Sequence, residues 1–201
     1  MVEPLFVIDN LSPAEVVVLS GEEAKHASSV RRMRVGEAIA VTNGRGLKLR
    51  GTVSEVEKGL IRIQVAEVIK EDEPALKFTL IQALAKGDRD ELAIQAATEL
   101  GVWEVIPWIS ARSVSVWEGK KLDTGRARWQ QIVREAAKQS LRSFIPEVGQ
   151  ALTSKQVAAA LSNFDLVLVL EPTASQQLRG VSVPTSGRVA ILVGPEGGIS
   201  P

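Results

Sequence analysis

The stretch Arg188-Val-Ala-Ile-Leu-Val193, closed by Gly194-Pro195-Glu196-Gly197-Gly198, reads as a buried strand running into a glycine-rich bend. A near-continuous apolar run of this length, bounded by Gly and Pro, is the pattern of a strand covered on both faces. Similar runs stand upstream at Phe78–Leu84, Val102–Trp108 and Asp165–Leu170. Helical stretches separate them. Asp88 is placed to cap a helix to Leu100, with Glu91 at its third position and Gly101 as its stop. A long helix covers roughly 124–142 and a shorter one runs from Ser154 to Asn163. Strands that alternate with helices in this way predict a parallel α/β sheet.

Upstream the rhythm differs. Leu5–Ile8, Glu15–Leu19, Ala38–Thr42, Leu47–Val56 and Leu60–Val68 are short runs rich in Val, Ile and Leu, punctuated by Asn43-Gly44, Gly46, Gly51 and Lys58-Gly59. The last two runs flank a short Gly-containing turn and predict a hairpin. One helix interrupts them. Ser20 and Glu23 have the spacing of a capping box, and Val30 and Met33 are placed to face the core. Many short strands with one helix predict a small β-barrel. The charged, Pro-containing Glu71-Asp72-Glu73-Pro74 marks the break, giving a barrel domain over 1–72 and an α/β domain over 73–201.

Composition removes whole classes of function. The chain of 201 residues has no Cys and one His, which excludes disulfides, thiolate metal sites, a Cys nucleophile and every multi-His ligand set. No metal is expected. No apolar run approaches the roughly 18 residues of a membrane helix, and the N-terminus, with Glu3 and Asp9, lacks the basic start of a secretory signal. A cytoplasmic location is the expectation.

Lys plus Arg equals Asp plus Glu at 24 each, yet the charges are uneven. Residues 25–50 hold seven cations (Lys25, Arg31, Arg32, Arg34, Arg45, Lys48 and Arg50) against Glu37, and residues 120–142 hold seven against Asp123 and Glu135. Each cluster is either a solvated face or the footprint of an anionic partner. Arg31-Arg32-x-Arg34 suits a phosphate clamp, because guanidinium groups match phosphate geometry. His26, one turn earlier, is a structural hydrogen-bonder or a base, and the first is the better reading of a lone His. Of the four tryptophans, Trp103, Trp108, Trp117 and Trp129, any could stack on bases, but core packing is the better reading for Trp103 and Trp108.

Ligands of open α/β sheets bind beyond the carboxyl ends of the strands. Three loops qualify: Gly194–Gly198, Glu171-Pro172, and Lys86-Gly87-Asp88-Arg89. Three glycines around a Pro–Glu pair permit positive φ and close backbone approach to a flat ligand, or simply form a tight turn. No dinucleotide fingerprint, phosphate-binding GxxxxGK[ST] loop or GxSxG elbow is present.

Taken in order, these residues form a recognisable series. His26-x-x-x-Val30-Arg31-Arg32-Met33-x-Val35-Gly36, Lys86-Gly87-Asp88-Arg89, Thr98-Glu99-Leu100-Gly101-Val102 with Pro107 and Arg112-Ser113, Glu135-Ala136-x-x-Gln139-Ser140-x-Arg142 with Pro146, Glu171-Pro172-x-Ala174-Ser175, and Gly194–Ser200 lie along nearly the whole chain. The series resembles the RsmE family, the 16S ribosomal RNA uridine-N3 methyltransferases of the knotted SPOUT class.

The resemblance implies a PUA-like barrel for RNA, followed by a SPOUT-type α/β domain with a trefoil knot. It implies S-adenosylmethionine as cofactor, 16S rRNA of the small ribosomal subunit as partner, and a homodimer formed through the methyltransferase domain. The implied cofactor contacts are Leu170, Glu171, Pro172, Leu192, Gly194, Pro195, Glu196, Gly197, Gly198 and Ile199. Implied RNA contacts are His26, Arg31, Arg32, Arg34, Lys86, Arg89, Arg112 and Arg142. Loss of the uracil N3 proton spreads negative charge onto the flanking carbonyls, so Arg142 and Arg89, with Arg112 behind them, are candidates to stabilise that anion, and Glu171 or Glu196 to act as base. Two departures stand out: Pro4-Leu5 precede Phe6 where the family carries an Arg, and the family continues past Pro201 through a further helix, a loop and a last helix. The 201 residues alone are therefore expected to bind the cofactor weakly or not at all. Competing readings are a catalytically silent RNA-binding protein, another SPOUT-class RNA methyltransferase, and a nucleotide-binding oxidoreductase, the last disfavoured by the absent glycine fingerprint.

Overall fold

The computed structural model describes residues 3–199. The chain divides into two compact units: residues up to Glu73 together with Ala137–Ile145, and Pro74–Ala136 together with the residues from Pro146 onward.

In the first unit, strands β1 (Leu5–Val7), β2 (Val16–Ser20), β3 (Ala38–Thr42), β4 (Leu47–Glu57) and β5 (Leu60–Lys70) form a five-stranded sheet in the order β1-β3-β4-β5-β2. Only β1 and β3 pair in parallel. Period-two alternation sets the faces: in β2, Val17 and Leu19 are buried while Val16 and Val18 are exposed, and in β5 Ile61 and Ile63 turn inward. They meet Phe6, Ile39, Val41, Leu49 and Val53 in one apolar cluster. The β4–β5 pairing shifts register at Arg50/Gly51 and again at Val53/Glu55, and such bulges bend and twist a strand, curling the sheet.

The helix between β2 and β3 departs from expectation. It comprises α1 (Gly21–Lys25) followed by a π turn over His26–Val30. Ser20 occupies the N-cap position without a side-chain bond. Glu23 does not reach back to it; its carboxylate pairs with Lys138 at 3.0 Å. The wider π turn rotates Val30 off the inward face, leaving it 70% exposed, while Met33 is buried as expected.

The segment after residue 136 was not foreseen in this unit. The Thr42 hydroxyl and the Gly46 N–H both donate to the Ser143 carbonyl, at 3.1 and 3.0 Å, and the Ile145 N–H donates to the Gly44 carbonyl at 2.9 Å. A Cβ on Gly46 would stand 2.6 Å from the Phe144 ring and 2.5 Å from the Glu71 carbonyl, and φ there is +92°. Glycine is required at that position for both reasons.

The second unit is built on strands β6 (Leu76–Ala83), β7 (Glu104–Ile109), β8 (Glu147–Val148), β9 (Leu152–Thr153), β10 (Leu166–Leu170) and β11 (Gly187–Val193). The sheet order is β10-β11-β6-β7-β8, with β9 also on β7, and every pair is parallel. Helix α2 (Arg89–Leu100) stops at Gly101, which is left-handed at φ +103°. Helix α3 spans Lys120–Gln139, starting and ending a few residues earlier than the sequence pattern indicates. Helix α4 (Ser154–Ala160) opens with a capping box between Thr153 and Gln156 and continues as a 3-10 turn to Asn163. Trp108 and Trp129 are buried, and Trp117 packs edge-on to Trp129 at 5.4 Å, so the core reading holds for Trp108. Trp103 is half-buried with the Lys77 ammonium 4.5 Å over its ring. No helix of the described residues is long and apolar enough to cross a membrane.

Because Gly46 combines a positive φ with two sub-van der Waals approaches, Gly46→Ala is expected to lower stability by about 3 kcal/mol. Gly59→Ala, at an open turn with nothing within 4 Å, tests the φ effect alone and is expected to cost less. Urea unfolding midpoints of the two variants decide this; equal midpoints would show that the close approach at Gly46 carries no energy.

Candidate functional site

Parallel pairing places the carboxyl ends of β6, β7, β10 and β11 at one end of the sheet, so the loops that follow them are neighbours. The register sets Leu170 opposite Val193 and Val193 opposite Gln82. Glu171 therefore follows beside Gly194.

The Gly194–Gly198 bend is held from two sides. From the β6 loop, the Lys86 N–H donates to Glu196 Oε1 at 3.3 Å and Arg89 Nη1 donates to the same oxygen at 3.2 Å. From the segment after β7, Arg112 Nη1 donates to the Gly197 carbonyl at 3.3 Å. The glycines serve close packing here. A Cβ on Gly194 would lie 2.6 Å from the Ile199 side chain, and one on Gly197 would lie 3.2 Å from the Arg112 carbonyl. Only Gly198 has positive φ, at +75°. Leu192 and Ile199 pack into the cluster of Ile81, Ala190 and Trp108, so a ligand can meet these two chiefly through their backbone. Ser200 lies outside the described residues.

Two carboxylates at this edge are driven in opposite directions. Glu196 is held below the ordinary carboxylate range, chiefly by backbone N–H donors (its own and that of Lys86) and then by Arg89. Asp90, in the first turn of α2, is pushed up by burial, although Ala85 and Glu91 N–H groups donate to it at 3.3 and 2.9 Å. Adjacent amides at the end of β6, those of Ala85 and Lys86, are thus taken by two different acids. Asp90 was not legible from the sequence, which marks Asp88 as the cap; Asp88 makes no side-chain cap bond, and Glu91 instead pairs with Arg128 at 2.8 Å.

Glu171 lines a depression of about 350 Å3 with Leu168, Leu170, Ala174, Leu178 and Val181. Leu170 is half exposed there, and Pro172 is exposed just beyond. The depression follows the open edge of β10 from Val167 to Glu171, with Gln176 also on its wall, and none of its lining residues belongs to the Gly194–Gly198 bend.

The remaining candidates belong to the first unit. Arg31, Arg32 and Arg34 are exposed and their guanidinium groups have no carboxylate partner among the described residues, although the Arg34 backbone N–H donates to Glu37 at 3.1 Å. The other cations of that stretch are engaged: Lys25 with Glu22, Arg45 with the Asp9 carbonyl, Lys48 with Glu71, and Arg50 with Glu3 and Glu67. His26 stands edge-on to Phe6 at 5.9 Å. Arg142 lies near Glu71, and its Nε is buried with no hydrogen-bond partner. Part of the second basic stretch is engaged within the chain, with Arg126 on the Val148 carbonyl, Arg128 on Glu91 and Lys138 on Glu23.

Residues 71–201 match the family described as RNA methyltransferase domain, and residues 19–66 match the RNA methyltransferase PUA domain. The chain is similar to ribosomal RNA small subunit methyltransferase E of Mycobacterium bovis, 36% identical over all of this chain and 79% of that protein. It is 32% identical to the protein of the same name from Bacillus subtilis, over 94% of this chain and 77% of that one. The crystal structure of ribosomal RNA small subunit methyltransferase E from Neisseria gonorrhoeae, bound to S-adenosyl methionine, superposes with a TM-score of 0.84 at 30% identity, covering 98% of this chain and 82% of that one.

The opposed carboxylates give opposite pH signatures. A depressed native pKa adds stability above the ordinary Glu value that is lost as pH falls through the native value; a raised one costs stability that is recovered as pH falls. Lowering pH from 7 to 3 is therefore expected to narrow the deficit of Glu196→Gln relative to the wild type, and to move the comparison with Asp90→Asn in favour of the wild type. Denaturation midpoints measured across that range check both; parallel profiles for all three proteins would refute the assignment.

Proposed function

Because the chain belongs to the ribosomal RNA small subunit methyltransferase E family, we propose that it methylates N3 of a uridine in 16S rRNA, using S-adenosylmethionine. The observation that carries this reading is the convergence of the β6, β7 and β11 loops on Gly194–Gly198. Leu170, Glu171 and Pro172 would hold the cofactor from one side, and the backbone of Leu192 and Gly194–Ile199 from the other. When bound, the cofactor supplies an electrophilic methyl group.

The chain's own residues position the uracil and manage its proton. Glu196 already accepts from Lys86 and Arg89, so it clamps the loop and is a weaker base than an ordinary carboxylate. That leaves Glu171 as the carboxylate for proton removal or cofactor contact. Arg142, with an unbonded Nε, and Arg89, whose side chain is 70% exposed, are the candidates to stabilise the uracil anion, with Arg112 tying the bend behind them.

In this reading residues 1–72 are the RNA-binding part, presenting His26, Arg31, Arg32 and Arg34, while 73–201 form the knotted, cofactor-binding part, which adds Lys86, Arg89 and Arg112. The enzyme acts in the cytoplasm as a homodimer formed through that second part.

Nucleoside mass spectrometry of 16S rRNA from cells lacking the gene is expected to show loss of one N3-methyluridine, restored by the gene. An unchanged rRNA would leave a silent RNA-binding protein in its place. Replacing Arg31 and Arg32 by Ala is expected to weaken RNA binding and to reduce the slope of log K against log salt by about 1.4–1.8, at roughly 0.7–0.9 per phosphate contact. An unaltered slope would remove the clamp.

A further inference from the structure

Within the first unit, the N-terminal segment, the π turn and the end of α3 enclose a cleft of about 260 Å3, lined by Pro4, Phe6, His26, Arg31, Gln139 and Leu141 among others. Three independent features single it out. The only two non-glycine residues with positive φ among the described residues adjoin it: Arg32, at +54°, directly follows Arg31, and Leu141, at +56°, is on its wall. Side chains with a Cβ rarely persist in that region, and such strain gathers at ligand clamps. The π turn that carries His26 is itself an irregularity frequent at functional sites.

The charges are equally uneven. Glu3 at the cleft is taken by Arg50 at 2.7 Å, and Lys138 by Glu23 at 3.0 Å. Arg31 has no such partner among the described residues, so one unbalanced positive charge stands at the cleft. The exposed Gln139 amide, which offers both donors and an acceptor, makes no hydrogen bond among the described residues. The imidazole of His26 supplies a flat ring braced edge-on by Phe6.

A bare anion would use Arg31 alone. A ring, a bifunctional amide and a guanidinium together match one nucleotide, whose base stacks, whose edge pairs with an amide and whose phosphate takes the charge. The volume lies just under the about 300–1,000 Å3 of sites for drug-sized ligands, which suits a single nucleotide and no longer stack. We propose that this cleft seats one unpaired nucleotide of the RNA substrate, with its base against His26, its edge on Gln139 and its phosphate on Arg31. The proposal rests on the reading of RNA as substrate and adds a nucleotide seat in the first unit to the methyl-transfer chemistry of the second.

His26 is the only histidine of the chain, so its imidazole proton resonances report on the cleft without assignment. The 201-residue protein, held at constant pH, is titrated with a fluorescein-labelled five-nucleotide single-stranded uridine RNA, followed by both NMR and fluorescence anisotropy. Saturable shifts of the His26 resonances are expected, with the same midpoint as the anisotropy change. Arg31→Gln is expected to weaken the midpoint about tenfold and Gln139→Ala several-fold, while inorganic phosphate leaves the resonances in place. Anisotropy that saturates with His26 unmoved overturns the seat but leaves RNA binding intact. Equal shifts with phosphate alone overturn it in favour of a bare anion site, and absence of binding by either readout overturns it together with the RNA reading beneath it.

Discussion

Everything at the candidate active site follows from one constraint, the uniformly parallel pairing of β10, β11, β6 and β7. Parallel strands put all their carboxyl ends on one side. Loops separated by more than a hundred residues, such as Lys86–Arg89 and Gly194–Gly198, then share hydrogen bonds without any further device. A single antiparallel strand in that set would send one loop to the far end. The register is equally demanding, since Leu170 must stand opposite Val193 for Glu171 to emerge beside the glycine bend.

In the first unit the comparable constraint is the close approach of residues 143–145 to residues 42–46. Backbone groups at the end of β3 and in the turn after it find partners in Ser143 and Ile145, and the glycines at 44 and 46 leave room for the Ile145 and Phe144 side chains. Glu71 closes the arrangement by accepting from the Ser143 hydroxyl at 2.6 Å. That bond is the leading reason its carboxyl is held below the usual range, ahead of Lys48 and Arg142. Such a polar cluster is favourable where its donors find acceptors, as the Thr42 and Ser143 hydroxyls and the Gly46 and Ile145 N–H groups do.

The longer strands of both sheets were legible because their signals are local, whereas the two-residue β8 and β9 carry too little pattern to read. Apolar runs, alternation and Gly-containing turns each act over a few residues, and Ala38–Thr42 matches its observed bounds. The glycine-rich bend was legible for the same reason, although its glycines turn out to serve packing against Ile199 and Arg112 more than positive φ. What the sequence hid is non-local. Gly44 and Gly46 read as turn punctuation, and nothing within ten residues of them announces Phe144. Glu23 reads as a capping partner for Ser20, but a cation 115 positions away competes for it and wins. The π turn was hidden too, because inserting one residue into a helical repeat changes which side chains face inward without changing composition. Asp90 escaped because an acid in the first turn of a helix is ordinarily solvated and favourable to the dipole, and only burial makes it unusual.

Pairing also sharpens the electrostatic reading beyond what a residue count could. The chain is neutral overall, and its two basic stretches look alike in sequence. In the folded chain both are partly engaged. Part of the second stretch is taken up by partners within the chain, and in the first stretch Lys25, Arg45, Lys48 and Arg50 are likewise engaged. Cations with partners contribute little to the field that a distant polyanion feels, since each is offset within a few ångström. Arg31, Arg32 and Arg34 remain, on the stretch that follows the π turn and includes a left-handed arginine. Arg32 holds a left-handed backbone within this exposed group, and guanidinium groups match phosphate geometry, so these three are the part of the stretch best suited to an anion. Within the first stretch the charges of Lys25, Lys48 and Arg50 are thus offset by carboxylates, whereas the guanidinium groups of Arg31, Arg32 and Arg34 are exposed without one among the described residues.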